Sequence, residues 1–333
     1  MGSPDKRDLL KNKIQPFNPN KIKNFDNLLN SLKFCGFQGR NLGKAFDILY
    51  KMVSDEKCFS ILTLSGALVP AGMQEVIIQL LENNLIDVVV STGANITHDL
   101  IDTFLYIGHY IGSPNVDDNE LFDYRINRIY DIFLPEKNYI QTEQLLSKIL
   151  LNIYPDKIIH ENPSDFLKKL GLHIKKRSIL SIASKNNIPI FIPAISDSEL
   201  ALDLTKFTIT QDFDIKFNVF EDIKKFANII RNADYCGTFI IGGGVPRNWA
   251  QQIYPYIENL ERDKHPDYEF GYKYSVRITT ATEYDGGLSG CTISESKSWG
   301  KYTLDSEYVT VWCDATIALP ILVCGLMQRL KLT

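Results

Sequence analysis

Phe59-Ser-Ile-Leu-Thr-Leu64, then Ser65-Gly-Ala67, then a helical pattern from Pro70, then Ile86-Asp-Val-Val-Val90 running into Ser91-Thr-Gly-Ala-Asn95: this stretch decides the fold. Both apolar runs are the length of buried strands and end in Gly/Ser/Thr turns. Between them Met73, Val76, Ile77, Leu80 and Leu81 recur at the 3.6-residue spacing of a helix, which Asn83-Asn84 closes. The same unit returns downstream. Ile188–Ile192 reads as a strand, with helical patterns over Glu199–Leu204 and Glu221–Asn232. Thr238–Ile241 leads into Gly242-Gly-Gly244 and a helix through Trp249 and Ile253. Strands are also expected at Ser275–Thr279 and Tyr308–Trp312, before a closing helix from Thr316 to Leu330. Strands apolar throughout and each followed by a helix predict an α/β fold with a mainly parallel sheet and helices on both faces.

Composition narrows the function. The 333 residues are 44% hydrophobic and 23% charged, an ordinary globular balance, and no repeat, linker or charge block divides them. One domain over 1–333 is expected, with an N-terminal helical extension over about 1–55 and a peripheral helical layer over Gly112–Pro163. The net charge of -4 offers no basic excess for a phosphate backbone, so no nucleic-acid partner is expected. The longest apolar stretch, Ala315–Met327, is too short to span a bilayer and contains Pro320, and the N-terminus has no apolar signal core. Cys35, Cys58, Cys236, Cys291, Cys313 and Cys324 form no CxxC pair and read as reduced, buried thiols. His109, His160, His173 and His265 show no ligand spacing, so no metal site is expected. These readings describe a cytoplasmic protein with no membrane partner. Phe34, Phe37 and Phe46 read as packing residues of the N-terminal helices.

Ligands of parallel sheets sit beyond the carboxyl ends of the strands. Four turns fall there: Ser65-Gly-Ala, Ser91-Thr-Gly-Ala-Asn, Gly242-Gly-Gly-Val and Thr279-Thr-Ala-Thr. None matches a dinucleotide or P-loop signature, and each alone reads as a tight strand-to-helix turn; together they point to a nucleotide site. The stretch Glu283–Lys301 interleaves carboxylates, glycines, an indole and lysines, with too little aliphatic content for core. Asp285 and Glu295 could hold an ammonium group, Trp299 offers a face to a cation, and Lys301, if partly desolvated, could form an imine. On composition alone a solvated loop with a chance lysine is the favoured reading.

Here the sequence resembles the deoxyhypusine synthase family. The blocks that carry the resemblance are Gly36-Phe-Gln-Gly-Arg-Asn41, Ile126-Asn-Arg-Ile129, Pro193-Ala-Ile-Ser-Asp197, Ile241-Gly-Gly-Gly-Val245, Glu295 with Ser298-Trp-Gly-Lys301, and Asp314-Ala315. The resemblance implies a Rossmann-like fold, a homotetramer with NAD near subunit interfaces, and a lysine that carries the aminobutyl group of spermidine as an imine. Carried over by position, Lys301 is that lysine, and Glu295 and Trp299 line the amine pocket. Ser65, Thr92, Asp197, Gly243, Thr280, Asp285, Ser289, Asp314 and Ala315 fall at NAD positions.

The departures are specific. Asn248 stands where the family has an active-site histidine, Leu288 where it has a pocket aspartate, and His98 where eukaryotic members carry a glutamate near the cofactor. A second pocket aspartate aligns with Leu202 or, shifted by one residue, Asp203. Gly-Gly-Gly-Val-Pro-Arg-Asn-Trp and Thr-Gly-Ala-Asn look like the bacterial, deoxyhypusine synthase-like branch, whose acceptor is implied to differ. The expected activity is NAD-dependent aminobutyl transfer from spermidine, with putrescine as acceptor giving homospermidine. The alternatives are a translation-factor lysine as acceptor, giving deoxyhypusine, and an NAD- or polyamine-binding protein without imine chemistry.

Overall fold

In the computed structural model, which describes residues 10–264 and 269–332, β1 (Cys58–Leu64) pairs in parallel with β9 (Tyr235–Ile241) along its whole length, Cys58 opposite Tyr235 and Leu64 opposite Ile241. From this pair the sheet grows both ways. On one side lie β2 (Val88–Ser91) and β7 (Ile190–Phe191), on the other β10 (Tyr272–Thr279) and β11 (Tyr302–Trp312). All six strands are parallel, in the order β11-β10-β9-β1-β2-β7. The predicted α/β class with a parallel central sheet is the observed one.

Alternate residues of the strands feed different cores, as the two-residue period of a strand requires. Leu62, Leu64, Val89 and Phe239 pack with the helices Phe37–Ser54, Gln74–Glu82 and Ala315–Arg329. Ile61, Val88, Val90 and Phe191 pack on the other face, with the helices Val219–Arg231 and Gly244–Glu261. Both faces are covered, which is why the strand sequences are apolar throughout. The N-terminal helices Phe25–Leu32 and Phe37–Ser54 lie against the closing helix, and the second also covers β10 and β11. Phe46 is fully buried there as expected, whereas Phe37, heading its helix with a left-handed φ of 53°, is exposed, and so is Phe34.

The segment Gly112–Pro163 departs from the expected helical layer. Besides the helices Asp118–Asp123 and Glu136–Ile153 it contains β4 (Ile126–Ile129) and β5 (Ile132–Pro135), a hairpin closed by Tyr130-Asp131, with β3 (Tyr110–Ile111) added antiparallel to β5. Tyr130 takes the positive φ that a two-residue hairpin turn demands, a position where the sequence supplies no Gly or Asn to signal it. β6 (Ile158–Glu161) pairs with β8 (Asp214–Phe217) in a separate two-stranded sheet. Among the described residues no helix is long and apolar enough to cross a membrane.

Gly43 marks the closest approach of the two N-terminal helices. A Cβ there would stand 2.6 Å from the Lys33 amide nitrogen and 2.7 Å from the Leu29 carbonyl oxygen. Gly to Ala inside a helix ordinarily stabilises by about 1 kcal/mol. Here backbone atoms block the methyl, and overpacking costs about 1–3 kcal/mol. Gly43→Ala is therefore expected to lower the midpoint of urea unfolding; an unchanged or raised midpoint would show that the two helices can separate freely.

Candidate active site

The strand ends are brought level by the ladder itself. The Ser65 amide donates to the Ile241 carbonyl (3.1 Å), the Thr92 amide to Leu64 (3.1 Å), the Gly242 amide to Ile278 (2.8 Å) and the Cys313 amide to Thr279 (3.1 Å). Four of the turns that follow line one cleft of about 460 Å³: Ser65–Leu68, Gly242–Gly243, Thr279–Ala281 and Cys313–Thr316, with Ser289 reaching in from a later loop. Gly242 has φ 84°, and a Cβ on Gly243 would meet the Ser289 Cα at 2.9 Å, so only glycine lets the loop approach the sheet this closely. Ser65 Oγ accepts from the Gly243 amide (3.2 Å). Asp314 caps the closing helix through the Thr316 amide (2.8 Å).

A second cleft, about 270 Å³, adjoins this loop. Asn248, Gln252, Glu283, Asp285, Gly286, Gly287, Leu288, Cys291, Glu295, Trp299 and Lys301 line it. Lys301 is 6% exposed, and its Nζ donates to Asn248 Oδ1 at 3.0 Å, a neutral acceptor. Burial holds the Lys301 ammonium below the usual lysine range; Arg247 adds to this, and Cys291 and Glu295 oppose it. Trp299 is 63% exposed, with its ring centroid 6.0 Å from Nζ. Between indole and lysine, Gly300 adopts φ 68°, which turns one side chain outward and the next inward; a Cβ at Gly300 would also strike Glu258 Oε2 at 2.9 Å. The loop thus presents three carboxylates, an aromatic face and a buried amine held below the usual lysine range to one opening.

The cleft unites Lys301, Glu295, Trp299, Asn248 and Leu288, and the strand-end cleft unites Ser65, Gly243, Thr280, Ser289, Asp314 and Ala315. Three expected cofactor positions fall elsewhere. Asp285 lines the lysine cleft, its Oδ1 holding the Gly287 amide (2.8 Å). Thr92 braces the neighbouring turn through the Gly66 carbonyl (2.8 Å), and Asp197 lies beside Gly93 at the β2–β7 end. Asp203, on the helix Glu199–Thr210, is not brought to Lys301. Burial, with Glu143 and Glu199 nearby, raises its carboxyl to about 7.

Sequence reasoning passed over several residues. Cys291, taken for a buried thiol, is half-buried and lines the lysine cleft, as do Gln252 and Glu283. Arg247 and Arg277 hold the loop carbonyls; an arginine inside the apolar strand Ser275-Val-Arg-Ile278 was the available signal. His98 and His109 are paired, Nδ1 to Nε2 at 2.9 Å, and His109 Nδ1 meets Asp102 Oδ1 at 2.6 Å. Burial pushes His98 down to about 4. His160 meets Asp214, and His265 lies outside the described residues.

Comparison with known proteins defines the class. The family model described as deoxyhypusine synthase matches residues 27–326. A relative from Archaeoglobus fulgidus, named "Probable deoxyhypusine synthase 2", is 39% identical over 297 residues, covering 88% of this chain and 94% of its own. The "Deoxyhypusine synthase-like protein" of Chlorobaculum tepidum is 36% identical over 292 residues, covering 86% and 81%. The crystal structure of "a putative deoxyhypusine synthase from Entamoeba histolytica" superposes with a TM-score of 0.64 at 21% identity over 94% of this chain and 96% of that one, a likeness of fold. The chain belongs to the deoxyhypusine synthase family, transferases of the aminobutyl group.

Asn248 gives the Lys301 amine a neutral acceptor, so Asn248→Asp would place a carboxylate about 3 Å from it and favour the ammonium form. Reactivity of Lys301 toward an amine reagent at neutral pH is expected to fall at least about tenfold, read by peptide mass spectrometry against Lys297. Equal labelling in the two proteins would mean that Asn248 does not govern the charge of Lys301.

Proposed function

We propose that this protein is an NAD-dependent aminobutyl transferase acting on spermidine, with a small amine such as putrescine as acceptor and homospermidine as product. One arrangement carries the reading: Lys301, buried against a neutral partner, at the base of a cleft flanked by Glu283, Asp285 and Glu295 and open beside Trp299. A polyamine is a flexible chain of cations, and carboxylates with an exposed indole face suit it.

The strand-end cleft fits a dinucleotide on its own features. Gly242 and Gly243 leave the backbone uncovered, Ser65, Thr280 and Ser289 bring hydroxyls, and the loop bearing Ser289 continues into the lysine cleft. Ser65, Gly243, Thr280, Ser289, Asp314 and Ala315 would hold NAD. Bound there, NAD supplies a hydride acceptor for the carbon beside the secondary nitrogen of the polyamine and returns that hydride at the end.

Lys301 then acts by exchange. Its uncharged amine adds to the carbon of the substrate's C=N bond; the bond to the diaminopropane nitrogen breaks, that nitrogen leaves with the proton from Nζ, and the four-carbon group stays on Nζ as an imine. The acceptor amine repeats the exchange in reverse and frees Lys301. Glu283, Asp285 and Glu295 hold the distal ammonium, and Trp299 screens one side of the chain. Leu288, on the cleft wall, removes one cation partner from the acceptor's path, which favours a shorter amine. The relatives named as deoxyhypusine synthases favour the second reading, a protein lysine as acceptor. Family members being homotetramers, we infer the same assembly here.

Incubation of pure protein with NAD and spermidine, with and without putrescine, should release 1,3-diaminopropane and, with putrescine, homospermidine by mass spectrometry. Lys301→Arg should abolish transfer while keeping NAD binding, because a guanidinium does not deprotonate in proteins. Borohydride should fix an aminobutyl adduct on Lys301 of the parent only. Lys297, whose Nζ is engaged by the Leu304 carbonyl (3.1 Å), is the control, and Lys297→Arg should keep most activity. Full activity of Lys301→Arg would refute the mechanism.

A further inference from the structure

Two arginines lie behind the lysine cleft, and their hydrogen bonds go to neutral acceptors. Arg247, on the helix Gly244–Glu261, and Arg277, on β10, are each 2% exposed. Arg277 donates from Nε to the Gly242 carbonyl (3.0 Å), from Nη1 to the Cys291 carbonyl (2.9 Å), and from Nη2 to the Ser289 carbonyl and Thr279 Oγ1 (3.5 Å). Arg247 donates from Nη1 to the same Cys291 carbonyl (2.7 Å) and from Nη2 to Ser296 Oγ (3.2 Å); its buried Nε has no partner among the described residues. Every acceptor is neutral. Among the described residues neither guanidinium has a carboxylate at ion-pair distance.

Buried guanidinium groups are ordinarily paired with carboxylates, and two of them converging on one carbonyl repel each other. The mutual cost is visible in Arg277, which burial first and Arg247 second bring down to about 10. Neutral donors could hold the same carbonyls, so the hydrogen bonds do not explain the charge. Position does. The arginines tie Gly242, in the wall of the strand-end cleft, to Ser289, which enters that cleft, to Cys291, which lines the lysine cleft, and to Ser296, whose carbonyl receives the Lys301 amide (3.3 Å).

We propose that Arg247 and Arg277 are positioning residues, a two-cation clamp that sets the spacing of the two clefts, with Arg247 placing positive charge behind Lys301. The inference rests on Lys301 as the nucleophile. The other groups facing Lys301 are Asn248 on the Arg247 helix, Cys291 on the loop, Glu295 on the short helix Ile293–Lys297, and Glu283 and Asp285 across the cleft. Cys291 and Glu295, the latter among the carboxylates that would attract a polyamine, favour an ammonium on Lys301. Arg247 offsets them on the protein's side while leaving the ligand's side acidic.

The test uses the full chain without cofactor or polyamine. Formaldehyde and cyanoborohydride methylate neutral amines, and peptide mass spectrometry reads Lys301 relative to Lys297 from neutral pH to about 10. In Arg247→Gln the midpoint for Lys301 should move upward and its relative labelling near neutral pH should fall about three- to tenfold, while Arg247→Lys should keep the parent midpoint. Amide hydrogen exchange over Ser289–Ser296 should quicken in Arg247→Gln. Should that variant not fold, amide exchange over Ser289–Ser296 in Arg277→Gln against Arg277→Lys tests the clamp, and exchange unchanged in Arg277→Gln would overturn it. A folded Gln variant with the parent midpoint would overturn the proposal. A parent protein whose Lys301 shows the clamp-dependent midpoint yet transfers nothing from any polyamine would refute the proposed function and leave the clamp standing.

Discussion

The amide of Ser65 reaches the carbonyl of Ile241 at the last rung of the β1–β9 ladder, and the chain leaves that rung in opposite directions. β1 is followed outward by β2 and β7, β9 by β10 and β11, so the connections diverge at this pair and leave a crevice between their turns. A parallel ladder keeps its ends level only if register holds, and seven consecutive residue pairs hold it here. Slipping the register by one residue would send Ile61 and Leu62 to each other's core. The clefts are a by-product of an apolar packing rule that involves no ligand.

Charge is organised against that rigid edge. The opening around Lys301 is acidic, yet the amine itself donates to a neutral amide oxygen, and the loop behind it is held by two arginines. Such an arrangement separates two demands that conflict on one surface: an opening that attracts cations and a buried amine whose ammonium form is disfavoured. Solvent at the mouth screens the first, and burial enforces the second.

The fold was legible because its determinants are local and periodic. Phe59–Leu64, Ile86–Val90 and Thr238–Ile241 are continuous apolar runs with no second reading once helical spacing follows each of them. The 130–131 hairpin was not legible, since Tyr130 takes its left-handed conformation from tertiary context. At the site, Lys301 and Trp299 stood out by the company they keep in sequence, whereas Cys291 and Gln252 became visible only when the 285–291 loop folded onto the helix Gly244–Glu261. Asp203, placed by family pattern, lies on the helix Glu199–Thr210 and does not line the cleft that one chain forms around Lys301.

The left-handed turn at Gly300 has a mechanical meaning. The carbonyl of Lys301 is already bound to the Tyr272 amide at 3.0 Å, so this residue is the first stitch of β11 in the sheet, while the indole two positions before it hangs in open space. Lys301 is therefore held at the start of a sheet strand through one left-handed glycine, while the indole before it faces outward. The entropy of fixing the Lys301 backbone is lost once, during folding, and not again when a ligand enters the cleft.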